Sequence, residues 1–395
     1  MVITQTENKE VVEGKLIPSI LKDYLKEGHA VSLWRLPNSN RKNILICTDG
    51  PKLLDEVVIE ELQPGFVVAP FNATGKKVYL KANHVYALEN DQLIHNAELP
   101  VNQNKPNEPN VSAGKTLNFF RRSCDSCVPS NKVDFLNLVS RSIRVIEDGR
   151  IEKIVPSRNK SIKLSEEFDI LKCFERLCET YPNAFVSLVS SAYTGTWIGA
   201  SPELLVSVDH HMHFKTAAVA GTQILPESAD LRQIAWTQKE IEEQALVSRY
   251  IINCFKKIRL REFSEHGPKT WQAGNLLHLK TDFEVDMTAT NFPQLGSVML
   301  KLLHPTSAVC GMPREESIDF LKNHEQMDRE FYSGFLGPVN FQNESHLFVN
   351  LRCMQWTKNE AILYAGAGVT VDSIPEKEWE ETEMKMNTLL NVIGS

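Results

Sequence analysis

"LYAGAGVTVDSIPEKEWEETEMK" spans residues 363–385 and joins a small-residue run to a crowd of acids. If AGAG were a dinucleotide phosphate loop, the fold would be a doubly wound parallel sheet. That fingerprint needs three glycines as G-x-G-x-x-G on a strand-to-helix turn, with an acid about 20 residues on. Gly366 and Gly368 have no third partner, and Val369, Thr370 and Val371 continue the strand pattern instead of opening a helix. The Rossmann reading is therefore rejected. Two glycines in a strand do allow close approach of a ligand to the backbone, so their N–H groups suit a carboxylate. Downstream, Glu381 and Lys385 lie four apart and share a helix face, which on spacing alone is a surface ion pair. Glu378, Glu380 and Glu383 read as solvated.

Outward from this stretch, "LFVNLRCMQW" (347–356) and "AILYAGAGVTV" (361–371) read as two strands paired through the turn at "TKNE", and "KEWEETEMKMNTLLNVI" as a final helix. Earlier, "AFVSLVSS", "TWIGAS", "ELLVSVD" and "HFKTAAVAGT" are consecutive strand candidates. The N-terminal part offers "AVSLWRLP", "NILICTD", "GFVVAPFN" and "KKVYLKANHVYAL" as strands and "IPSILKDYLKEG" as a helix closed by Gly28. "KVDFLNLVSRSIRV" has helix spacing, then turns strand-like at "IEKIVPS". "LSEEFDILKCFERLCETYP" (164–182) is an amphipathic helix with Ser165 and Glu167 near its start, and residues 227–258 read as one long helix. Antiparallel-looking runs of strands with helices between them favour α+β. Residues 100–115, polar with three prolines, form the one clear linker or mobile loop.

The bulk composition excludes several classes. The chain has 395 residues, 42% hydrophobic and 24% charged, with net charge −7, which argues against an electrostatic nucleic-acid binder. No apolar run suits a membrane helix, and the N-terminus lacks a signal-type core, so a cytoplasmic enzyme is expected. The 8 cysteines are scattered, and Cys124 and Cys127 lack a second ligand pair for zinc. His210, His211 and His213 fall between strand candidates and read as turn residues.

Two acidic stretches stand out. Glu203 in "GASPELLVSV" sits beside Leu204 and Leu205. It is either a strand-edge carboxylate facing water or a carboxyl in an apolar setting, with a raised pKa and the capacity to act as a general acid. Glu240 and Glu243 lie three apart on a helix, with Glu242 to one side. Such acids face solvent, or one of them turns inward as a ligand for a hard cation.

Taken as a set, "EKIVPSR", "TWIGASPELL", "AVAGTQ", "KEIEEQALV", "LLHPTSAVCGMP", "DREFYSGFLG", "LRCMQW", "LYAGAGV" and "EWEETEMKMNTLLNV" resemble the chorismate-utilising enzymes: isochorismate, salicylate, anthranilate and aminodeoxychorismate synthases. The pieces come in the family's order and cover residues 119–395. The resemblance implies a single α+β domain of two face-to-face antiparallel sheets flanked by helices. Residues 1–118 would be a strand-rich part of the same domain, ending in a mobile loop near 100–118. It also implies Mg²⁺ on Glu243 and Glu381, with Lys385 as a further donor to the ring carboxylate of chorismate. Arg352 matches the arginine that pairs with the pyruvyl carboxylate. Tyr332, Gly366, Ala367, Gly368, Thr306, Gly221 and His278 match other substrate contacts. Lys153 occupies the position of the lysine base in the water-using branches, with Glu203 as the acid. A depressed Lys153 pKa, from burial and from the nearby cation and Arg352, is expected on this reading. Ala220 stands where many aminodeoxychorismate synthases carry a nucleophilic lysine, which counts against that branch. Gln244 replaces a histidine common in relatives. The branch implied is isochorismate synthase, a monomer serving menaquinone or siderophore synthesis. Salicylate synthase is the alternative, an anthranilate or aminodeoxychorismate synthase component a lesser one, and a non-catalytic chorismate binder is a reading of another class.

Overall fold

The computed structural model describes residues 16–90, 92–94, 117–122, 129–225, 231, 234–273, 276–358 and 360–394. The Cys124/Cys127 pair and most of the 100–118 segment lie outside these residues. Two nine-stranded antiparallel sheets form the body. The first runs in the order Gln92–Ile94, His84–Glu89, Arg41–Cys47, Ala30–Arg35, Phe185–Ser191, Gly195–Ser201, Cys353–Trp356, Glu360–Gly366, Ser157–Lys163. The second runs Ser264–Ala273, Leu276–Asp286, His213–Ile224, Leu204–Val208, Ser345–Val349, Phe335–Val339, Gly65–Ala69, Lys77–Lys81, Lys52–Leu54. This is the expected α+β architecture.

Between the sheets the core is aromatic. Trp34, Phe66, Phe185, Trp197 and Phe348 are buried there, and Phe185 stacks on Phe348 at 4.2 Å. Helices α1 (Leu16–Lys26), α3 (Ile170–Thr180) and α7 (Pro375–Ile393) cover the outer face of the first sheet through Leu21, Phe174 and Leu389. Helices α4 (Gln238–Lys257) and α5 (Leu295–Leu303) cover the second through Phe255 and Met299. Helices α2 (Lys132–Glu147) and α6 (Arg314–His324) close a smaller cluster around Ile154 and Val369. Among the described residues no helix is long and apolar enough to cross a membrane.

Several elements depart from the sequence reading. The helix expected over 164–182 begins at Ile170, because Asp169 caps it by accepting from Leu171 N and Lys172 N. The long helix expected from 227 begins at Gln238, where Thr237 and Glu240 form a capping box. The run "LFVNLRCMQW" is two strands in different sheets, and the chain crosses between them at 350–352 with Arg352 at φ 48°. "KKVYLKANHVYAL" divides in the same way, Lys77–Lys81 in one sheet and His84–Glu89 in the other. The AGAG strand ends at Gly366, after which Val369 makes only an isolated bridge to Ile154. No helix opens until Pro375, so the rejection of a dinucleotide loop stands.

Where strands pack hardest, glycine is required. Gly337 sits at φ 154°, and a Cβ there would lie 2.0 Å from the carbonyl oxygen of His346 on the neighbouring strand. Gly337→Ala is expected to destabilise the fold by about 2–4 kcal/mol, read as a lower denaturant midpoint, since neither backbone can yield without breaking the ladder.

Candidate active site

A cavity of about 80 Å³ opens between the two sheets. Each functional side chain reaches it from a different element. Glu203 immediately precedes the Leu204–Val208 strand and is 5% exposed, so the strand-edge alternative fails. Burial pushes its carboxyl up to about 7, against the pull of a hydrogen bond from Thr306 (3.3 Å to Oε1) and of Lys153, Lys385 and Arg352. At neutral pH a substantial fraction of it is therefore a neutral acid.

Arg352 is delivered by the crossover between sheets. Its guanidinium lines the cavity, burial lowers its pKa to about 10, and Nη1 has no hydrogen-bond partner. A buried guanidinium nitrogen without an acceptor is a site prepared for an anion, since arginine forks match carboxylates. His278 donates Nδ1–H to the Gly221 carbonyl at 2.7 Å. Burial, with Arg352 adding to it, lowers its pKa to about 3, so the ring is neutral and the unpartnered Nε2 is an acceptor. Gly221 itself stands at φ 71°, at the irregularity in the His213–Ile224 strand pairing that lets its carbonyl meet the ring.

Lys153 is fixed by its backbone. The two-residue strand Lys153–Ile154 pairs with Gly311–Met312, bridges to Val369, and its carbonyl accepts from Ser317 Oγ at 3.1 Å. Its Nζ donates to Glu243 Oε1 at 2.7 Å, both groups being buried or nearly so. Burial works against the charge on Glu243, but the ammonium of Lys153, helped by Lys385 and Lys239, brings its pKa below the usual range. Of the helix acids, it is Glu243 that lines the cavity, while Glu240 is committed to the cap on Thr237 and to Gln223, and Glu242 to Gln238. Lys385 lines the cavity as well, its Nζ 2.6 Å from Glu381 and 2.9 Å from the Gly366 carbonyl.

The structure thus brings nearly all the sequence candidates to one place. Glu203, Gly221, Glu243, His278, Tyr332, Arg352, Gly366, Gly368 and Lys385 line the cavity, while Lys153, Thr306 and Glu381 are bonded to Glu243, Glu203 and Lys385. Thr306 donates to Glu203 Oε1 and so supports the acid. One expectation is corrected. The N–H of Ala367 is committed to the Pro156 carbonyl at 3.1 Å, so that amide is not a carboxylate donor. Among the described residues the Gly368 N–H has no hydrogen-bond acceptor. Gln244 bonds Ser248 and Thr281 at 2.9 and 2.7 Å, tying α4 to the second sheet.

Other supports were not legible. Glu378, read as solvated, is 1% exposed and paired with Lys239 at 2.6 Å, joining the two helices that carry Glu381 and Glu243. Glu383, also read as solvated, pairs with Lys160 at 2.8 Å and with Arg158. A buried Arg329–Glu325 pair clamps the loop after Lys153. Arg329 donates to the Val155 and Val309 carbonyls, and Glu325 accepts from Ser157 N. Tyr364 stacks on Tyr332 at 5.3 Å and shares the cavity wall.

The family model described as "Chorismate binding enzyme" matches residues 66–394. The chain belongs to this family of chorismate-binding enzymes. Among its curated relatives in the family, the isochorismate synthase EntC of Escherichia coli (strain K12) is 29% identical over 286 residues, 71% of each chain. The isochorismate synthase DhbC of Bacillus subtilis (strain 168) is 28% identical over 277 residues, 66% of this chain and 68% of the relative. Among solved structures, a putative 2,3-dihydroxybenzoate-specific isochorismate synthase, DhbC from Bacillus anthracis, superposes with TM-score 0.73 at 23% identity, over 94% of this chain and 99% of that one. Anthranilate synthase component I from Streptococcus pneumoniae TIGR4 superposes with TM-score 0.65 at 15% identity, over 91% of this chain and 89% of that one. The fold is therefore shared by proteins named for different activities, and side chains must decide between them.

Proposed function

We propose that this enzyme converts chorismate to isochorismate. The carrying observation is one cavity in which a buried carboxyl with a pKa near 7, Glu203, meets the unpartnered guanidinium nitrogen of Arg352, with Lys153 bonded to Glu243. Arg352 and the Gly368 amide suit the pyruvyl carboxylate, and Lys385 suits the ring carboxylate. Lys153 takes a proton from water as the water oxygen bonds C2. The ring double bonds shift, the C4–O bond breaks, and the leaving hydroxyl departs as water with the proton of Glu203. One water enters and one leaves, so the reaction is an isomerisation. Neutral His278 offers Nε2 as an acceptor to a ring hydroxyl or to the attacking water.

Glu243 and Glu381 suit Mg²⁺. Both are hard oxygen donors, both hold an ammonium as a stand-in cation, and the absent Cβ of Gly368 leaves the space that one would fill 2.3 Å from Glu243 Oε1. Among the described residues no three His, Cys, Asp or Glu side chains form a metal cage. Mg²⁺ itself binds through one or two carboxylates and keeps waters or substrate oxygens. When bound, the ion would neutralise and orient the ring carboxylate.

Two observations support this reading over the amine-using branches. Ala220, in the cavity wall, offers no nucleophile, and Lys153 supplies a basic amine beside the cavity where those branches tend to carry glutamine. The expected result of incubation with chorismate and Mg²⁺ is isochorismate as the accumulating product by chromatography, with the conversion stopped by excess chelator. Pyruvate released in step with chorismate loss would make the enzyme a salicylate synthase. A faster aminated product on adding ammonium salts would overturn both readings.

A further inference from the structure

The contact between Lys153 and Glu243 places the base in conflict with the cation. Glu243 Oε1, 2.7 Å away, is the acceptor the structure gives Lys153 Nζ, and the lysine side chain is 1% exposed. The pair is confined, because the backbone of Gly368 packs on both. A Cβ there would lie 2.3 Å from Glu243 Oε1 and 3.1 Å from Lys153 Cε. Glu243 lines the cavity, and Lys153, bonded to it, is close enough to act on the charge of Glu203 in the cavity wall. Lys385 differs, since the Gly366 carbonyl is a second acceptor that keeps it at the cavity wall whatever happens at Glu381. A hard divalent cation needs its carboxylate oxygen at about 2.0–2.1 Å, and two cations sharing one oxygen at contact distance repel strongly in a buried setting.

We propose that Lys153 and the divalent cation compete for the Glu243 carboxylate, so that loading the cation turns Lys153 away from Glu243 and toward the cavity. This rests on the proposed metal role of Glu243. Without metal the amine is latched as an ion pair. With metal the same carboxylate is occupied, and the amine is released on the side where water must be activated. The cation then has a second task besides holding substrate, which is to unlock the base.

Calorimetric titration of Mg²⁺ into the full chain, without chorismate, tests this. Lys153→Met keeps the stem and removes the competitor, so Mg²⁺ should bind roughly tenfold tighter or more. Lys153→Arg keeps the charge and grips a carboxylate bidentately, so Mg²⁺ should bind more weakly than to wild type. The thermal shift on adding Mg²⁺ should follow the same order. Equal or weaker binding by the methionine variant would overturn the competition while leaving the metal site in place. If that variant does not fold, arginine against wild type carries the test, and equal affinity overturns the proposal. Absence of Mg²⁺ binding in all folded forms would defeat the metal reading, and the competition with it.

Discussion

Glu203→Gln is expected to lower kcat by about 10²–10⁴-fold, the usual worth of a positioned proton donor. The substitution is nearly isosteric, and Oε1 still accepts from Thr306, so the pocket keeps its shape. What it loses is the transferable proton. In wild type the rate should decline as pH rises through about 7, because only the protonated carboxyl donates to the departing C4 oxygen and burial sets its pKa there. The variant should lose that alkaline limb along with its rate. A second readout is independent of turnover. The folded pKa of Glu203 lies above its unfolded value, so its contribution to stability is complete below about 4.5 and is lost as pH rises through about 7. Glutamine does not titrate. Denaturant unfolding should therefore show the variant gaining on wild type between pH 5 and pH 8, by an amount on the order of 2–3 kcal/mol. A variant with near-normal kcat, or one whose relative stability does not change with pH, would show that the carboxyl is neither buried nor the acid.

The site was legible to the extent that its chemistry lay in short contiguous motifs. Glu381 and Lys385 follow from helix spacing, and they are indeed paired at 2.6 Å. Glu203 was ambiguous, because strand alternation gives the side a residue faces but not what covers that side. The misreadings share one cause. Glu378 looked like one more solvated acid because its partner, Lys239, lies 139 residues away, and local patterning carries nothing of that distance. "LFVNLRCMQW" looked like one strand because both of its halves alternate correctly for a sheet, though not for the same sheet. The bend at Arg352, φ 48°, has no glycine or proline to announce it, yet this bend points the guanidinium into the cavity. Likewise α4 begins at a capping box embedded in an already amphipathic run, so periodicity alone placed its start about three turns too early.

Lys153→Ala should remove water addition at C2, with kcat falling by about 10²-fold or more while KM for chorismate changes little. The reason is the division of labour in the cavity. On the proposed reading Arg352, Lys385 and the Gly368 amide serve the two carboxylates, while Lys153 is held by Glu243. A group that does not grip the ground state contributes only where charge moves, so its loss appears in kcat. The structure also alters the expectation for how Lys153 becomes a base. Burial and neighbouring cations were expected to suffice. Instead the amine is found bonded to a carboxylate, so what occupies Glu243 decides whether the amine is free to reach the water. An added small primary amine should then restore part of the rate in Lys153→Ala, provided the cation is bound, because the truncated side chain leaves room for it beside Glu243. Near-normal turnover in the alanine variant would move the base elsewhere. A rise in KM matching the loss in kcat would instead make Lys153 a substrate anchor.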